Sequence, residues 1–324
     1  MYQLLALING IIITIMISVN GNLSGEYSVF TATAIIHGVG SIFALLLCAR
    51  KKNEESIWGH NPKWMYLGGA IGVITTVSQN FAFGSISITS VIALGLLGQM
   101  VTSLVIDGLG LFGMEKRPIR SYALVGLGIS MLGIFIMLDS TVTTAALAVG
   151  VSFISGISLV LSRTVNARLA EKIGALQGSL ANHLVGLPIT ALIAFVIAKE
   201  RVSIIPASGS FQPWIYLGGI LGVVVIMVLN IIVPKIPAFQ LTMLVFIGQI
   251  FSGICLDIIV GNRYSDASFE GGIVIAIGVA IHMIMERVND KKERQHQEYL
   301  AMIKRTEDEY REYLVEEYYK KIGE

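Results

Sequence analysis

Ten runs of predominantly apolar residues constrain this chain more than any other feature. A transmembrane helix needs about 20 consecutive apolar residues, and each run is of roughly that length. The runs are interrupted by Gly and Ser without a regular polar and apolar alternation, which predicts helices and argues against a porin-like barrel. They lie at about 3–19, 28–48, 64–83, 87–113, 121–138, 144–165, 176–198, 214–233, 237–260 and 270–287. The sequence therefore predicts an all-α integral membrane protein with ten transmembrane helices.

The composition agrees with a membrane protein. Hydrophobic residues make up 54% of the chain and charged residues 14%, whereas soluble domains are about one-quarter charged. The first run starts almost at Met1 without a basic leader or a small-residue cleavage site, so we interpret it as a retained span. Cys48 and Cys255 fall inside runs far apart in sequence and suggest neither redox chemistry nor a metal site.

Basic residues between the runs predict which loops face the cytoplasm, because cytoplasmic loops are enriched in Lys and Arg. They cluster after runs two, four, six, eight and ten. These residues are Arg50, Lys51, Lys52, Lys63, Lys116, Arg117, Arg120, Arg163, Arg168, Lys172, Lys235 and nine more from Arg287 onward, which is 20 of the 23 Lys and Arg. We therefore predict a multi-pass membrane protein with both termini in the cytoplasm.

The two halves of the chain repeat each other. The segment WMYLGGAIGV at 64–73 returns as WIYLGGILGV at 214–223, a shift of 150 residues, and earlier positions return with a shift of 146. The repeated polar positions are Asn20 and Asn166, His37 and His183, Asn80 and Asn230, Gln99 and Gln249, and Asp107 and Asp257. Because each half has five runs, the second half should cross the membrane in the opposite orientation. This pattern predicts inverted five-helix repeats at 1–140 and 141–288, an architecture of secondary transporters that place their site between the repeats near the midplane.

Polar residues inside the runs are the candidate functional residues, since such groups are costly in lipid. Gln99, Ser103 and Asp107 are spaced i, i+4, i+8 and share one side of a helix over roughly 12 Å. The candidates for substrate contact are Gln99, Gln249, Asn20, Ser103, His37 and His183. The candidates for coupling or gating, nearer the two faces, are Asp107, Asp257, Asn80, Asn166 and Asn230.

Each candidate has a structural alternative that the sequence leaves open. Intramembrane Asn and Gln often hydrogen-bond a neighbouring helix, a bond worth about 1 kcal/mol or less. The aspartates could be hydrated near the interface or cap helix ends, and paired histidines are more often satisfied core residues than proton carriers. Glycine pairs such as Gly68 with Gly72, and Gly110 with Gly113, are predicted to let helices approach closely. Because no Lys or Arg falls clearly within a run, the sequence favours neutral, zwitterionic, cationic or amphiphilic cargo over strongly anionic cargo.

Three motifs resemble the YdcZ-like family of the drug/metabolite transporter superfamily. They are NGNL at 20–23, WxYLGGxxG at 64–72, and GQMVTSLVIDGLGLFG at 98–113 followed by Pro118. The resemblance covers both halves and implies a fused ten-span exporter of the inner membrane, since relatives export amino acids, drugs and other metabolites. Positions that match the family motif are Asn20, Gln99, Asp107, Gln249 and Asp257. The second half departs from the pattern, with Ala167 and Arg168 in place of Gly21 and Asn22.

Residues 289–324 differ from the rest of the chain. They are rich in charge, with apolar residues at roughly helical spacing that predict an amphipathic cytoplasmic helix. Those apolar residues are Tyr299, Ile303, Tyr310, Leu314 and Tyr318. Acidic and basic residues nearly balance, which argues against strong attraction to anionic lipid and leaves a homodimer contact or simple helix extension.

These features favour a carrier that moves a small metabolite or drug-like solute by alternating access, with Asp107 and Asp257 as candidates for proton coupling. A membrane scaffold that presents the C-terminal helix to a partner is the alternative. A membrane-embedded enzyme is poorly supported, because the sequence has no HExxH, GxSxG, phosphate loop or cysteine ligand set. We therefore expect no catalytic residues, no cofactor, no metal and no nucleic-acid partner, only the lipid bilayer and a small-molecule substrate.

Overall fold

The computed structural model describes residues 1–50, 57–59, 61–83, 85–86, 88–117, 120–138, 140–143, 145–197, 212–260 and 266–323. These residues form ten α-helices and, within the described ranges, no strand. The helices are α1 Tyr2–Tyr27, α2 Val29–Arg50, α3 Gly68–Phe83, α4 Ile88–Leu109, α5 Ser121–Met137, α6 Ala146–Ile173, α7 Ala175–Leu192, α8 Leu217–Ile232, α9 Ala238–Val260 and α10 Asp266–Ile322.

Most of these helices have the length and composition of membrane spans. Among the described residues, eight are long and apolar enough to cross a bilayer, and α3 and α5 are shorter, at 16 and 17 residues. Short 3₁₀ segments, Lys63–Leu67 and Pro213–Tyr216, lead into α3 and α8. The prediction of an all-α integral membrane protein is confirmed.

Two glycines end α4. Gly110 has φ of 65° and Gly113 has φ of 72°, a left-handed conformation in which a Cβ is disfavoured. The Gly110 N–H donates to the Ile106 carbonyl at 2.9 Å, which satisfies one of the last carbonyls of the helix. The interpretation of Gly110 and Gly113 as a packing pair is therefore wrong, because both glycines shape the turn after α4.

Close backbone contacts hold the helices together. Gly156 of α6 lies against the backbone of Gly95 on α4, and a Cβ on Gly156 would overlap it. Gly10 of α1 lies in the same way against the backbone of Val245 on α9. Lipid offers little hydrophobic drive for helix association, so small residues that permit close approach provide much of the packing energy.

The helices alternate in direction, which gives the bundle two distinct ends. At one end the end of α4 meets the start of α9, where Asp107 contacts Ala238. We call this the basic end, because the helix ends and turns there carry Arg50, Lys63, Lys116, Arg117, Arg120, Arg168, Lys172 and Lys235. At the opposite end Tyr27, the last residue of α1, shares a hydrogen bond of 2.6 Å with Tyr216, which precedes α8.

The chain divides into two compact units, Met1–Val279 and Ala280–Glu324. The first contains the helices described above. The second is the remainder of α10 and is strongly exposed along its length from residue 291 onward.

Candidate functional site

Asp107 caps the first turn of α9. Its Oδ1 accepts the N–H of Ala238 and its Oδ2 accepts the N–H of Phe239, each at 2.9 Å, and the residue is only 7% exposed. The first amides of a helix have no partner within the helix, and they carry the positive end of its dipole. The carboxylate of Asp107 therefore fixes the end of α4 to the start of α9, although the two residues are more than 130 positions apart in sequence.

Arg163 of α6 binds the same turn from another side. Its Nη2 donates to the Ala238 carbonyl at 3.1 Å, to Thr242 Oγ1 at 2.5 Å and to Ser103 Oγ at 3.2 Å. The hydroxyls of Ser103 and Thr242 also lie 2.8 Å apart. The ends of α4 and α6 and the start of α9 thus share one buried polar cluster.

Arg163 corrects an expectation drawn from the sequence. The residue was assigned to a loop, but it lies within α6, ten residues before the helix ends, and is 6% exposed. The prediction that no Lys or Arg lies within a span is therefore wrong. The preference for non-anionic cargo was based on that prediction and is no longer supported.

His37 of α2 and His183 of α7 face each other. Their ring centroids are 5.4 Å apart in an edge-to-face arrangement, and His183 Nδ1 lies 2.9 Å from the Ser179 carbonyl. Each ring packs on a glycine of the other helix: His183 on Gly40, and His37 on Gly186. The structure therefore brings the two repeated histidines into one contact.

The asparagines join neighbouring helices. Asn166 of α6 donates to Asn182 Oδ1 on α7 at 2.8 Å and packs on Gly68, where α3 begins. Asn230 of α8 donates to the Ala175 carbonyl at 3.0 Å. Asn20 packs on Gly218 at the opposite end of the bundle. The bonds of Asn166 and Asn230 are the interhelical hydrogen bonds expected of amides in a membrane protein, whereas Asn20 makes a packing contact.

The glutamines lie at helix crossings. Gln99 of α4 and Gln249 of α9 are both half-buried. The backbone of Gln99 borders Gly156 of α6, and the Gln249 carbonyl accepts the hydroxyl of Thr14 on α1 at 3.0 Å. The side chains of Asn80 and Asp257, two further candidates, lie outside the described residues.

Some buried polar atoms have no hydrogen-bond partner among the described residues. They are both side-chain atoms of Asn9, Asn20 Oδ1, His37 Nδ1, Ser41 Oγ, Arg163 Nε and Asn230 Oδ1. Such atoms are rare in folded proteins, because each loses its hydration without compensation. Neither Asn9 nor Arg163 is among the functional candidates predicted from the sequence. Asn9 is not a repeated polar position with the same side chain, because its repeat equivalent is Ser155.

A family model described as "Putative inner membrane exporter, YdcZ" matches residues 1–136 and again residues 147–283. The chain belongs to the YdcZ family. The resemblance noted in the sequence is thus confirmed, and the family description is that of an inner-membrane exporter in the drug/metabolite transporter superfamily.

Solved structures support the fold of this YdcZ-family protein. One of them, described only as "Crystal structure of protein", superposes with a TM-score of 0.63 at 14% identity and covers 88% of this chain and 96% of that one. Similarity at this level of identity concerns the fold alone. A search of the curated proteins finds no match.

Proposed function

We propose that this YdcZ-family protein is a secondary-active carrier of a small solute that works by alternating access between two inverted five-helix repeats. The two separate matches of one family model to 1–136 and 147–283 support a duplicated transport unit. In this proposal all ten helices span the membrane and the basic end faces the cytoplasm, in agreement with the positive-inside rule.

Reciprocal contacts between the halves carry the proposal. Several close approaches between α1–α4 and α6–α9 come in equivalent pairs in which the two halves exchange roles, whereas the approach of Gly278 to Gly126 has no such equivalent, because a Cβ on Gly128 would meet no atom within 4 Å. The equivalent contacts are Gly10 with Val245 and Gly156 with Gly95, Gly98 with Phe153 and Gly248 with Leu7, Gly68 with Asn166 and Gly218 with Asn20, and Gly69 with Asn182 and Gly219 with Ile36. A two-fold relation of this kind provides two conformations of similar energy, one open to each side.

The two ends of the bundle nevertheless differ in packing. A carrier that is open to one side only must show such a difference between its ends. Toward the opposite end, a small recess is lined by Phe30, Thr33, Val73, Thr76, Val77, Thr190 and Ile193. The repeat equivalents of Phe30, Val73 and Thr190 are Leu176, Val223 and Ala44, and these three lie in one packed apolar cluster at the basic end. This difference supports a state that is closed at the basic end and more open at the other.

The burial of α4 and α9 shows the same asymmetry. Ser103 and Ile106, near the basic end of α4, are fully buried. Their equivalents in α9, Gly253 and Leu256, are partly exposed. In this proposal Asp107 and Asp257 are the coupling residues of the two ends, and protonation of Asp107 would weaken its charge-assisted bonds to the start of α9 and favour opening of the basic end.

Flux measured in proteoliposomes tests the proposal. A panel of amino acids, organic cations and amphiphiles, with and without a pH gradient, should identify a transported class. Replacing Asp107 and Asp257 by Asn should abolish the pH-gradient-dependent part of the flux, whereas Glu115→Gln, an exposed acid at the same end, should leave it unchanged. Undiminished gradient-dependent flux in the double variant would refute the coupling role, and no flux for any class would refute the carrier.

A scaffold function has one observation in its favour. The second unit exposes the apolar residues of the C-terminal helix, namely Tyr299, Ile303, Tyr310, Leu314 and Tyr318. Such a stripe could present a partner-binding face or pair two copies of the chain. Deletion of residues 290–324 separates the two functions, because a carrier should retain flux while a scaffold should lose its cellular phenotype.

A further inference from the structure

Arg163 is a buried cation whose hydrogen bonds are incomplete. A charged side chain within a membrane bundle is costly and usually faces a functional cavity or a partner. The guanidinium Nη2 is bound to acceptors of α4 and α9, but Nε has no hydrogen-bond partner among the described residues, although the residue is only 6% exposed. The planar fork of Arg is suited to binding both oxygens of a carboxylate, and only part of that capacity is used here.

The turn that Arg163 contacts is itself an anion-binding element. Ala238 donates its N–H to Asp107 and offers its carbonyl to Arg163. The next amide, of Phe239, binds the second oxygen of Asp107 at 2.9 Å. Two adjacent amides at a helix N-terminus near a guanidinium are donors that favour a carboxylate. In this conformation the carboxylate of Asp107 occupies the two amides, while Arg163 is bound to Ser103, Thr242 and the Ala238 carbonyl.

The arginine belongs to one half only. The position equivalent to Arg163 in the first half is Ile17, which is 57% exposed. The positions equivalent to Ser103 and Thr242 are Gly253 and Ile92, so neither hydroxyl recurs. The repeat architecture by itself therefore does not require this cation or its two hydroxyl partners, and a role specific to the basic end accounts for the cost of burying them.

We propose that Arg163 and the first turn of α9 form a binding site for the carboxylate of the cargo, and that Asp107 occupies this site while the basic end is closed. When the end of α4 moves away from α9, the two amides and the guanidinium become available to a small carboxylate-bearing solute. Asp107 then acts as an internal competitor that keeps the empty carrier closed. This inference rests on the proposed carrier function and adds the chemical class of its substrate.

Binding of benzoate to the purified full-length protein tests the site, with benzamide as a neutral probe of the same shape. Benzoate should raise the Tm in a concentration-dependent manner, and benzamide should not. Asp107→Asn removes the competing charge and should lower the apparent Kd for benzoate by about tenfold or more, since the competent state is then more populated. Arg163→Gln should abolish the benzoate effect, and Arg163→Lys should weaken it.

Two further variants keep the test decisive. Arg168→Gln is the matched control, because Arg168 lies on the same helix and binds the carbonyls of Phe112 and Gly113; its benzoate response should equal that of the wild type. If Arg163→Gln does not fold, the double variant with Asp107→Asn removes both buried charges together, and it should also be insensitive to benzoate.

Several outcomes would overturn the inference. Equal effects of benzoate and benzamide on the Tm would do so, as would benzoate binding that persists in the double variant. A lack of benzoate binding in both the wild type and the Asp107→Asn variant would also overturn it. So would stabilisation by inorganic phosphate in place of benzoate. Flux of cationic or neutral cargo without benzoate binding would refute this site and leave the carrier function standing. Benzoate binding without flux of any cargo would refute the carrier instead.

Discussion

Substituting Gly156 by Ala tests whether backbone contact between α4 and α6 holds the bundle together. A Cβ at Gly156 would overlap the Gly95 carbonyl and lie 2.8 Å from the Gln99 nitrogen. Both obstacles are backbone atoms, so no side chain can rotate away and the two helices must separate. Overpacking of this kind costs about 1–3 kcal/mol.

Gly150 of the same helix is the matched control, because a Cβ there would meet no atom within 4 Å. Gly150→Ala should therefore be neutral or stabilising by up to about 1 kcal/mol through helix propensity. The two variants should differ by about 1–4 kcal/mol in unfolding free energy, measured by denaturant titration of the purified protein in mixed micelles. Equal free energies for the two variants would refute the packing argument.

The repeat relation extends this prediction to the first half. Gly10→Ala should be as destabilising as Gly156→Ala, since its Cβ would meet the Val245 carbonyl and the Gln249 nitrogen. Gly25→Ala, also in α1 and with open space around it, should be tolerated. A tolerated Gly10→Ala beside a damaging Gly156→Ala would contradict the equivalence of the two crossings.

Three further outcomes are expected. Asp107→Asn should lower the unfolding free energy by about 1–3 kcal/mol, because one amide oxygen must then accept from two N–H donors. The control Glu115→Gln, at an exposed ion pair, should change the unfolding free energy by less than about 1 kcal/mol. Equal effects of the two substitutions would argue against the capping role of Asp107. Asn182→Ala should lower the unfolding free energy by about 0.6–2 kcal/mol. The control Asn22→Ala should leave it unchanged, because the exposed side chain of Asn22 bonds only its own helix. Deleting residues 290–324 should convert a dimer to a monomer in light scattering and leave flux intact, and an unchanged mass would exclude pairing through this helix.

Much of the fold follows from the sequence for physical reasons. Lipid satisfies no backbone hydrogen bonds, so apolar runs of this length must be helices, and the repeated WxYLGG segments made the duplication visible. His37 and His183 were paired as repeat positions, and the structure adds that they touch. In the proposed inverted-repeat arrangement such a contact is expected, since residues near a two-fold axis meet their own equivalents.

The polar cluster at the basic end could not be predicted in the same way. A charged residue in a hydropathy pattern indicates the end of a span, which placed Arg163 in a loop. Helix α6 continues to Ile173 because the face around Asn166 and Leu169 is buried in protein. Since this part of the helix faces protein and not lipid, the average hydropathy of the segment does not indicate where the helix ends. The bond between Asp107 and the start of α9 joins distant parts of the chain and has no local sequence pattern.

The central claim, alternating access with closure at the basic end, is tested most directly by locking that end. Ser103 and Thr242 hold their hydroxyls 2.8 Å apart, so cysteines at these two positions should form a disulfide with little adjustment in a background where Cys48 and Cys255 are replaced by Ser. Flux in proteoliposomes would be measured for the oxidised and then the reduced form of this double variant. Oxidation should stop flux and reduction should restore it, whereas a fully cross-linked protein that transports as fast as its reduced form would contradict closure at this end.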